Sequence, residues 1–504
     1  MVAIRNLVGV VLTAQLASAA MPEHEIKELP GWGKELPSKW YAGYLDGGRN
    51  GKYKLNYHYI LIESENNPST DPVLVWSNGG PGAASLFGLL TELGPFYLSS
   101  GSKKTKEYNE TGIPTLYPFD YSWSKNANLL VLNGPPPVAY SYCDPPGPAG
   151  TGTDCGEWTD ETTAAANYNF LESFYKAYPE YQKNDLYLSG ESYAGVYIPT
   201  LAREILKHDN ATSMSRRSFK GFLVGNPCMG NEILCSAEAD GLKSQPRENY
   251  FKAENLWGHG QISSALMEKI RKDCTIDTFK ESTKCSAHIA EMNRQATGYF
   301  EYHLYDMCVF TDPNLPQGDQ PEEEEKLATR SLQSTGVEPD PIGGGMNQYP
   351  CGGGGVVSDW VKTPEVRKAF GVASDAFFLS ADNGVGMHYK QTETNLIPFY
   401  RELAQKHDDI RVLLYLGDTD PTINSRVIED AVRRMHLKEI RPWRPWTLDN
   451  KEYVVGSLTR YEGNFDFLTL RGCGHMAPQN KPQASFEMLS KFLNNQPWGE
   501  YNKP

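Results

Sequence analysis

Hydrophobic positions along this chain follow two alternating patterns. Short runs of apolar and β-branched residues are separated by longer stretches of helical periodicity, which is typical of an α/β fold with a largely parallel sheet covered by helices. Several short runs end in Gly, Asn or Ser, and in such sheets the carboxyl ends of the strands face the ligand site. The predicted strands are residues 57–62, 73–76, 129–132, 186–188, 221–224, 412–416 and 465–470.

The alternation is interrupted between residues 227 and 355. This stretch contains cysteines, Pro-rich sequence, glycine runs at 343–345 and 352–355, and four consecutive glutamates at 322–325. We interpret the glutamates as a solvated face. The pattern predicts a catalytic core of residues 20–226 and 356–504, and a helical cap insertion at 227–355 with a mobile loop near 317–345.

The first 19 residues have the features of a secretory signal peptide. Arg5 precedes an apolar run at 7–16, and Ala17, Ser18 and Ala19 form a small-residue cleavage site. The run is too short to span a bilayer, and no later segment is long and apolar enough, so we expect no membrane anchorage. We expect a secreted protein, with vacuolar storage less favoured because 20–40 leaves little room for a long pro-segment.

Two glycosylation sequons and the cysteine content agree with export. The sequons begin at Asn109 and Asn210. Nine cysteines are present, and an oxidising compartment would let most of them pair, leaving at least one unpaired.

Composition and charge exclude some classes of function. The 504 residues are 39% hydrophobic and 22% charged, as in ordinary globular enzymes. The formal net charge is -14, without a basic stripe, so a phosphate backbone would be repelled and nucleic-acid binding is disfavoured.

The clearest chemical motif is Gly-Glu-Ser-Tyr-Ala-Gly at 190–195. It places Ser192 between small residues, directly after a predicted strand and before a helical pattern, as in the nucleophile elbow of an α/β-hydrolase fold. Small neighbours are needed because the sharp turn is strained and brings backbones close together. Ala194 stands where the usual pattern has its last glycine.

A serine nucleophile needs a histidine base oriented by a carboxylate, and in this fold class the chain order is Ser, acid, His. His475 follows the predicted strand at 465–470 and precedes a final helical pattern. The acid should follow the preceding strand, where Asp418 and Asp420 both qualify on spacing.

Eight short segments, in order between about residues 40 and 480, resemble the serine carboxypeptidase family. They are Tyr-Ala-Gly-Tyr-Leu at 41–45, Trp-Ser-Asn-Gly-Gly-Pro-Gly at 76–82, Glu-Leu-Gly-Pro at 92–95, Tyr-Ser-Trp at 121–123, the motif at 190–195, Val-Gly-Asn at 224–226, Gly-Asp-Thr-Asp at 417–420 and Gly-His-Met at 474–476.

The resemblance implies a role for each matching residue. It selects Asp420 as the acid and gives the backbone amides of Gly80 and Tyr193 as the oxyanion hole, which stabilises developing negative charge. It assigns the grip on the substrate's terminal carboxylate to Asn78, Glu92 and Glu191, and it places Met476 in the substrate pocket. Two adjacent buried carboxyls cannot both ionise cheaply, so this grip should be best at acidic pH.

The chain departs from the family pattern at the cysteines and in one Pro-rich segment. Ala83 stands where the family usually has a cysteine, and residues 379–385, where its partner is expected, also lack one. A local pairing would join Cys143 to Cys155, Cys228 to Cys235, Cys274 to Cys285 and Cys308 to Cys351. Cys473 would then be a free thiol, sensitive to mercurials. The Pro-rich residues 133–142 are expected to shape the cleft.

The sequence therefore predicts an enzyme that removes C-terminal residues from peptides and proteins. Some members of the family are acyltransferases, but an acyltransferase need not hold a terminal carboxylate. A non-catalytic binding protein would predict a broken triad. The cysteines lack the short paired spacing of a metal site and the glycine runs do not follow a strand into a helix, so we expect no metal and no cofactor.

Overall fold

The computed structural model describes residues 21–209, 211–235, 246–274, 276, 282–306, 308, 349–381, 384–448 and 453–501. The predicted signal peptide, Asn210 and the predicted mobile loop at 317–345 lie outside these residues.

The strands fall into one large sheet and two two-stranded ribbons. In chain order they are β1 (Glu25–Ile26), β2 (Trp40–Asn50), β3 (Tyr53–Ile62), β4 (Val73–Ser77), β5 (Phe96–Tyr97), β6 (Tyr117–Pro118), β7 (Asn128–Leu132), β8 (Tyr142–Asp144), β9 (Trp158–Thr159), β10 (Leu186–Glu191), β11 (Phe219–Gly225), β12 (Tyr389–Lys390), β13 (Arg411–Gly417), β14 (Glu439–Thr447), β15 (Val454–Tyr461), β16 (Phe465–Leu470) and β17 (Gly499–Glu500).

Helices connect and cover these strands. The α-helices are Leu86–Gly88, Lys106–Thr111, Asp160–Ala177, Ala194–Leu206, Met214–Ser218, Pro246–Gly258, Ser264–Asp273, Thr283–Gln295, Gly353–Trp360, Pro364–Ala369, Ile397–Lys406, Ser425–Arg434, Ala477–Asn480 and Pro482–Leu493. Short 3₁₀ turns lie at Pro22–His24, Ser100–Lys103, Trp123–Lys125 and Pro179–Lys183, and a π-helical turn at Leu89–Leu93.

The large sheet has the order β1-β2-β3-β7-β4-β10-β11-β13-β16-β15-β14-β17, with β8 beside β3. The six strands from β7 to β16 run parallel, whereas the strands at both edges pair antiparallel. Every residue of β4, β7, β10 and β16 is buried, as expected for parallel strands covered on both faces. All seven predicted strands are present, and the α/β-hydrolase fold is confirmed.

Of the antiparallel strands in the large sheet, only β3 was predicted, from the apolar run at 57–62. β14, with the sequence EIRPWRPWT, is exposed over most of its length and contains two prolines. Proline cannot donate to a neighbouring strand and is confined to sheet edges, so the pattern suggests a loop rather than a strand.

The helices between residues 246 and 304 have a small apolar core of their own. Leu256, Met267, Ile270 and Met292 are at its centre and are almost fully buried. The helix Pro246–Gly258 packs against the helix Ser425–Arg434 of the main body, and an ion pair of 2.6 Å joins Arg247 to Asp430.

All four local disulfide pairings are confirmed. The structure joins Cys143 to Cys155, Cys228 to Cys235, Cys274 to Cys285 and Cys308 to Cys351, and it leaves Cys473 unpaired. Over the described ranges, no helix has both the length and the apolar character needed to cross a membrane.

Candidate active site

Ser192 occupies a strained turn between β10 and the helix Ala194–Leu206. Its φ is +63°, a left-handed conformation that non-glycine residues adopt at a cost. The Ser192 carbonyl accepts from the amides of Gly195 and Cys228 at 2.8 and 3.0 Å. A Cβ added to Gly195 would lie 2.3 Å from the Cys228 oxygen, so the close approach expected at this turn is present and requires glycine.

Asp420 and His475 are brought together from the ends of β13 and β16. His475 Nδ1 lies 2.6 Å from Asp420 Oδ2. The Asp420 side chain is fully buried, and its other oxygen accepts from the amides of Thr422 and Ile423 at 2.8 and 3.1 Å. These bonds fix the carboxylate, which in turn orients the imidazole ring.

The alternative acid, Asp418, points to another part of the loop. Its Oδ1 accepts from the Gly472 amide at 2.7 Å, and its backbone carbonyl lies 3.0 Å from His259 Nε2. The structure therefore pairs His475 with Asp420 and gives Asp418 the turn-capping position.

Ser192 and His475 line one cavity of about 410 Å³. Within the part of the chain that is described, the Ser192 hydroxyl makes no hydrogen bond to the His475 ring. Catalytic hydrogen bonds are often long without substrate and tighten in the complex.

Two backbone amides, one in the cavity wall and one directly after Ser192, are candidates for an oxyanion hole. Gly80, with a φ of +107°, lines the cavity, and Tyr193 follows the serine directly. Over the described residues, neither amide donates a hydrogen bond to another protein group. A Cβ on the adjoining Gly79 would lie 2.3 Å from the Tyr193 nitrogen, so the two segments that carry these amides are in close contact.

Asn78 joins two buried carboxyl groups, and all three residues line the same cavity. Its Nδ2 donates to Glu191 Oε1 at 3.0 Å and to Glu92 Oε1 at 3.5 Å. The Trp76 indole donates to Asn78 Oδ1 at 2.8 Å, which fixes the amide so that its NH₂ group faces the carboxyls. Glu92 lies in the π-helical turn Leu89–Leu93, an irregularity that is frequent at functional sites.

Burial raises the pKa of both carboxyl groups. Glu92 and Glu191 are 3% and 4% exposed, and the second oxygen of each is buried and accepts no hydrogen bond from the residues that the structure describes. Loss of water is the main cause, and it raises the pKa of Glu92 to about 7. The pKa of Glu191 is also raised well above its ordinary value, first by burial and then by the charge of Glu92. Below neutral pH the pair holds at least one proton.

The described residues among 300–308 and 349–354 supply much of the cavity lining. The Tyr302 ring lies 4.8 Å from the His475 ring, and its carbonyl accepts from the His475 amide at 2.8 Å. Sequence analysis gave no site residue in this region, because it contains no recognised motif. Its residues around the cavity are Phe300, Tyr302, Asp306, Cys308, Tyr349, Pro350, Gly352, Gly353 and Gly354.

Asn226 supports the acid and had no role assigned from sequence. Its Nδ2 donates to Asp420 Oδ2 at 2.9 Å, and its Oδ1 accepts from the Gly417 amide at 3.0 Å. Its φ is +37°, a region that Asn tolerates better than most residues. Its position directly after β11 was the available signal.

Other expected residues lie as follows. Met476 lines the cavity. The Pro-rich segment 133–142 does not line the cavity. It contacts the chain next to a lining residue, because the Ala139 amide donates to the Leu379 carbonyl at 2.7 Å and Ser380, which follows Leu379, lines the cavity. The first sequon residue, Asn109, is exposed, and Asn210 lies outside the described residues. No group of three or more metal-ligating side chains occurs among the residues described.

Comparisons with known proteins agree over almost the whole chain. The serine carboxypeptidase family model matches residues 30–495. Serine carboxypeptidase-like 20 of Arabidopsis thaliana is 30% identical, covering 93% of this chain and 92% of its own. The lysosomal protective protein of Mus musculus is also 30% identical, covering 95% of each chain.

A solved structure shares the fold. Kex1, a prohormone-processing carboxypeptidase of Saccharomyces cerevisiae, superposes with a TM-score of 0.66 at 19% identity, covering 94% of this chain and 96% of its own. The nucleophile elbow and the buried Asp–His pair agree with the family model, which extends from residue 30 to 495. The chain therefore belongs to the serine carboxypeptidase family.

Proposed function

We propose that this enzyme hydrolyses the C-terminal peptide bond of peptides and proteins at acidic pH through an acyl-enzyme on Ser192. The observation that carries this proposal is the Asn78 amide held against two buried carboxyls in the cavity that Ser192 and His475 also line. A serine hydrolase of internal bonds or small esters has no need for such a group beside its nucleophile.

The reaction follows from the roles proposed for Ser192, His475 and Asp420. His475 Nε2 takes the Ser192 proton as Oγ attacks the scissile carbonyl carbon, while Asp420 stabilises the imidazolium. The amides of Gly80 and Tyr193 donate to the oxyanion. The C–N bond then breaks, His475 protonates the leaving amino acid, and water attacks the ester by the reverse sequence to release the shortened peptide.

The terminal carboxylate of the substrate is bound by Asn78 and by the protonated member of the Glu92–Glu191 pair. A neutral carboxylic acid donates a hydrogen bond to an anion, whereas an ionised carboxylate repels it. Peptide binding is therefore strongest below neutral pH, and it weakens as the pair loses its proton.

The proposal is tested by incubating the enzyme with N-blocked dipeptides that differ in their C-terminal residue. The pH is 4 to 6, because the family resemblance implies a preference for acidic conditions. We expect the wild type to release the free terminal amino acid and Ser192→Ala to release none. A dipeptide amide, which lacks the terminal carboxylate, serves as the matched control substrate. Equal rates on acid and amide would refute the carboxylate grip.

We also propose that residues 1–19 direct export and that 227–355 act as a cap over the cleft. Four disulfides agree with an oxidising compartment, and Asn109 is exposed for glycosylation. Mass spectrometry of the protein recovered from culture medium tests both the cleavage after Ala19 and a glycan on Asn109. Recovery only inside the cell would contradict export.

A further inference from the structure

Another buried carboxylate, distinct from the triad and from the Glu92–Glu191 pair, lies behind the proposed oxyanion hole. Asp160 begins the helix Asp160–Ala177 and is 1% exposed. No lysine or arginine forms an ion pair with it within the described chain. Its charge is balanced by hydrogen-bond donors and by the helix N-terminus, and nothing in the proposed reaction accounts for it.

One oxygen of this carboxylate binds the side chain of Tyr193, whose backbone amide is a proposed oxyanion donor. The Tyr193 hydroxyl donates to Asp160 Oδ1 at 2.8 Å, and the Tyr389 hydroxyl donates to the same oxygen at 2.7 Å. The two tyrosine rings meet edge to face at 5.9 Å and 90°. A ring held at both its face and its hydroxyl limits the rotation of the peptide plane to which it is attached.

The other oxygen binds a segment that reaches the second oxyanion donor. Asp160 Oδ2 accepts from the amides of Thr392 and Glu393 at 2.6 and 2.7 Å. Upstream in the same segment, the amides of Ala381 and Gly384 donate to the carbonyls of Gly82 and Pro81 at 2.8 and 2.9 Å. These two carbonyls belong to the turn that begins at Gly80.

We propose that Asp160 is a positioning residue that holds both halves of the oxyanion hole, Tyr193 through its hydroxyl and Gly80 through the segment ending at Glu393. This inference rests on the proposed function of Ser192 and the two amides. Asp160 does not touch substrate. It sets the alignment of the two donors, and it therefore affects the rate of attack by Ser192 more than the binding of substrate.

The test measures the rate at which a fluorophosphonate labels Ser192, followed by intact mass. In this reaction the Oγ–P bond forms, the P–F bond breaks, fluoride leaves and His475 takes the hydroxyl proton. The phosphoryl oxygen enters the oxyanion hole. Labelling therefore reports on donor alignment without requiring that a peptide's carboxylate be bound.

We expect Tyr193→Phe and Asp160→Ala to be labelled about 10- to 100-fold more slowly than the wild type, less than the loss from deleting a donor outright. Asp160→Asn should recover most of the rate. The new side-chain NH₂ group can donate to a tyrosine hydroxyl, while the side-chain oxygen of the asparagine still accepts from the amides of Thr392 and Glu393. Tyr193→Phe removes one hydroxyl and keeps the backbone, so it remains informative if Asp160→Ala fails to fold.

The matched control is Glu172→Gln on the same helix. Glu172 accepts from the amides of Met214 and Ser215 at 3.2 and 3.0 Å, so it ties a loop to the helix as Asp160 does, but away from the cavity. We expect Glu172→Gln to lower the melting temperature and leave labelling unchanged. In contrast, Tyr193→Phe should reduce kcat for an ester substrate with little change in KM.

The outcomes separate this inference from the proposed function. Labelling of Tyr193→Phe at the wild-type rate overturns the role of Asp160. Labelling of the wild type without release of a terminal amino acid overturns the carboxypeptidase proposal alone, and the Asp160 comparison still holds. A wild type that is not labelled at Ser192 overturns both.

Discussion

At the scale of single residues, protonation decides how the site works. Glu92 and Glu191 share one buried space with Asn78, and burial raises the pKa of both carboxyls. The same physical cause acts on Cys473, whose pKa is raised well above its ordinary value because the thiol is buried. In the proposed mechanism the first shift favours substrate binding, whereas the second suppresses the reactivity of the thiol.

The pair predicts a pH profile that depends on the substrate. Because the pKa of Glu92 is about 7, kcat/KM for a blocked dipeptide should fall as pH rises through 7, while ester hydrolysis persists. In Glu92→Gln the side chain donates at every pH, so peptide activity should decline at a higher pH than in the wild type. Parallel profiles for peptide and ester in the wild type would contradict this account.

Cys473 should react slowly with thiol reagents in the folded protein. Its side chain is fully buried and its thiolate is disfavoured, which revises the mercurial sensitivity expected from its position beside His475. We expect a mercurial to modify the protein only after unfolding, as measured by thiol titration, and Cys473→Ser to show no reactive thiol in either state. Rapid loss of wild-type activity would show that the thiol is accessible.

Motif spacing located Ser192 and His475, but it left two candidates for the acid. The family resemblance selected Asp420, and the structure places that residue against the ring. Asp160 was not anticipated, because its contact with Tyr389 spans 229 positions and neither residue belongs to a motif. A motif reveals the chemistry of residues that are neighbours in the sequence. It does not reveal a contact between two residues that are far apart in the chain and belong to no motif.

At the scale of elements, the elbow depends on how closely β10, its following helix and the loop after β11 approach one another. Gly190 and Gly195 both stand where a side chain would meet backbone atoms, at 2.4 Å from the Ser77 oxygen and 2.3 Å from the Cys228 oxygen. The apolar runs predicted the parallel strands because these are buried on both faces. Among the antiparallel strands, β3 gave a similar signal, whereas β14 is mostly exposed and gave none.

Gly195→Ala should therefore displace the loop that carries Cys228. This displacement should weaken the hydrogen bond that the Cys228 amide donates to the Ser192 carbonyl. We expect a loss of about 1 to 3 kcal/mol in the free energy of unfolding and a lower kcat. The control is Gly258→Ala, since nothing lies within 4 Å of a Cβ at the end of that helix, and it should be neutral or slightly stabilising. Chemical denaturation of both variants measures the difference, and equal stabilities would refute the argument.

At the scale of the whole molecule, an excess of acidic residues accompanies the buried carboxyl pair. The net charge of -14 at pH 7 produces self-repulsion that weakens as carboxylates are protonated. The pair adds to this trend, because the folded state holds protons that the unfolded state has lost.

The pair should make the protein more stable at pH 5 than at pH 7.5. Its pKa values are raised in the folded state, so its contribution is full below the ordinary value of 4.5 and is lost as pH rises through about 7, an effect of roughly 3 kcal/mol for Glu92. Buried His58, whose pKa is lowered to about 4, acts in the opposite direction below pH 6.5.

The double variant Glu92→Gln, Glu191→Gln isolates the pair from the remaining groups. We expect the decrease in unfolding free energy between pH 5 and pH 7.5, measured by urea denaturation, to be smaller in the double variant than in the wild type. An unchanged decrease would assign the pH dependence to surface charge alone.

The size of the cavity lined by Tyr302 and Tyr349 limits which substrates the enzyme can accept. The cavity of about 410 Å³ accommodates only a few side chains, and both tyrosines line it together with Ser192. A folded domain is too large for this volume, so the proposed reaction would act only on an unfolded C-terminal tail, which it would shorten one residue at a time. Trimming should then halt where the tail meets ordered structure, and the length of the final product would mark the boundary of the target's folded domain.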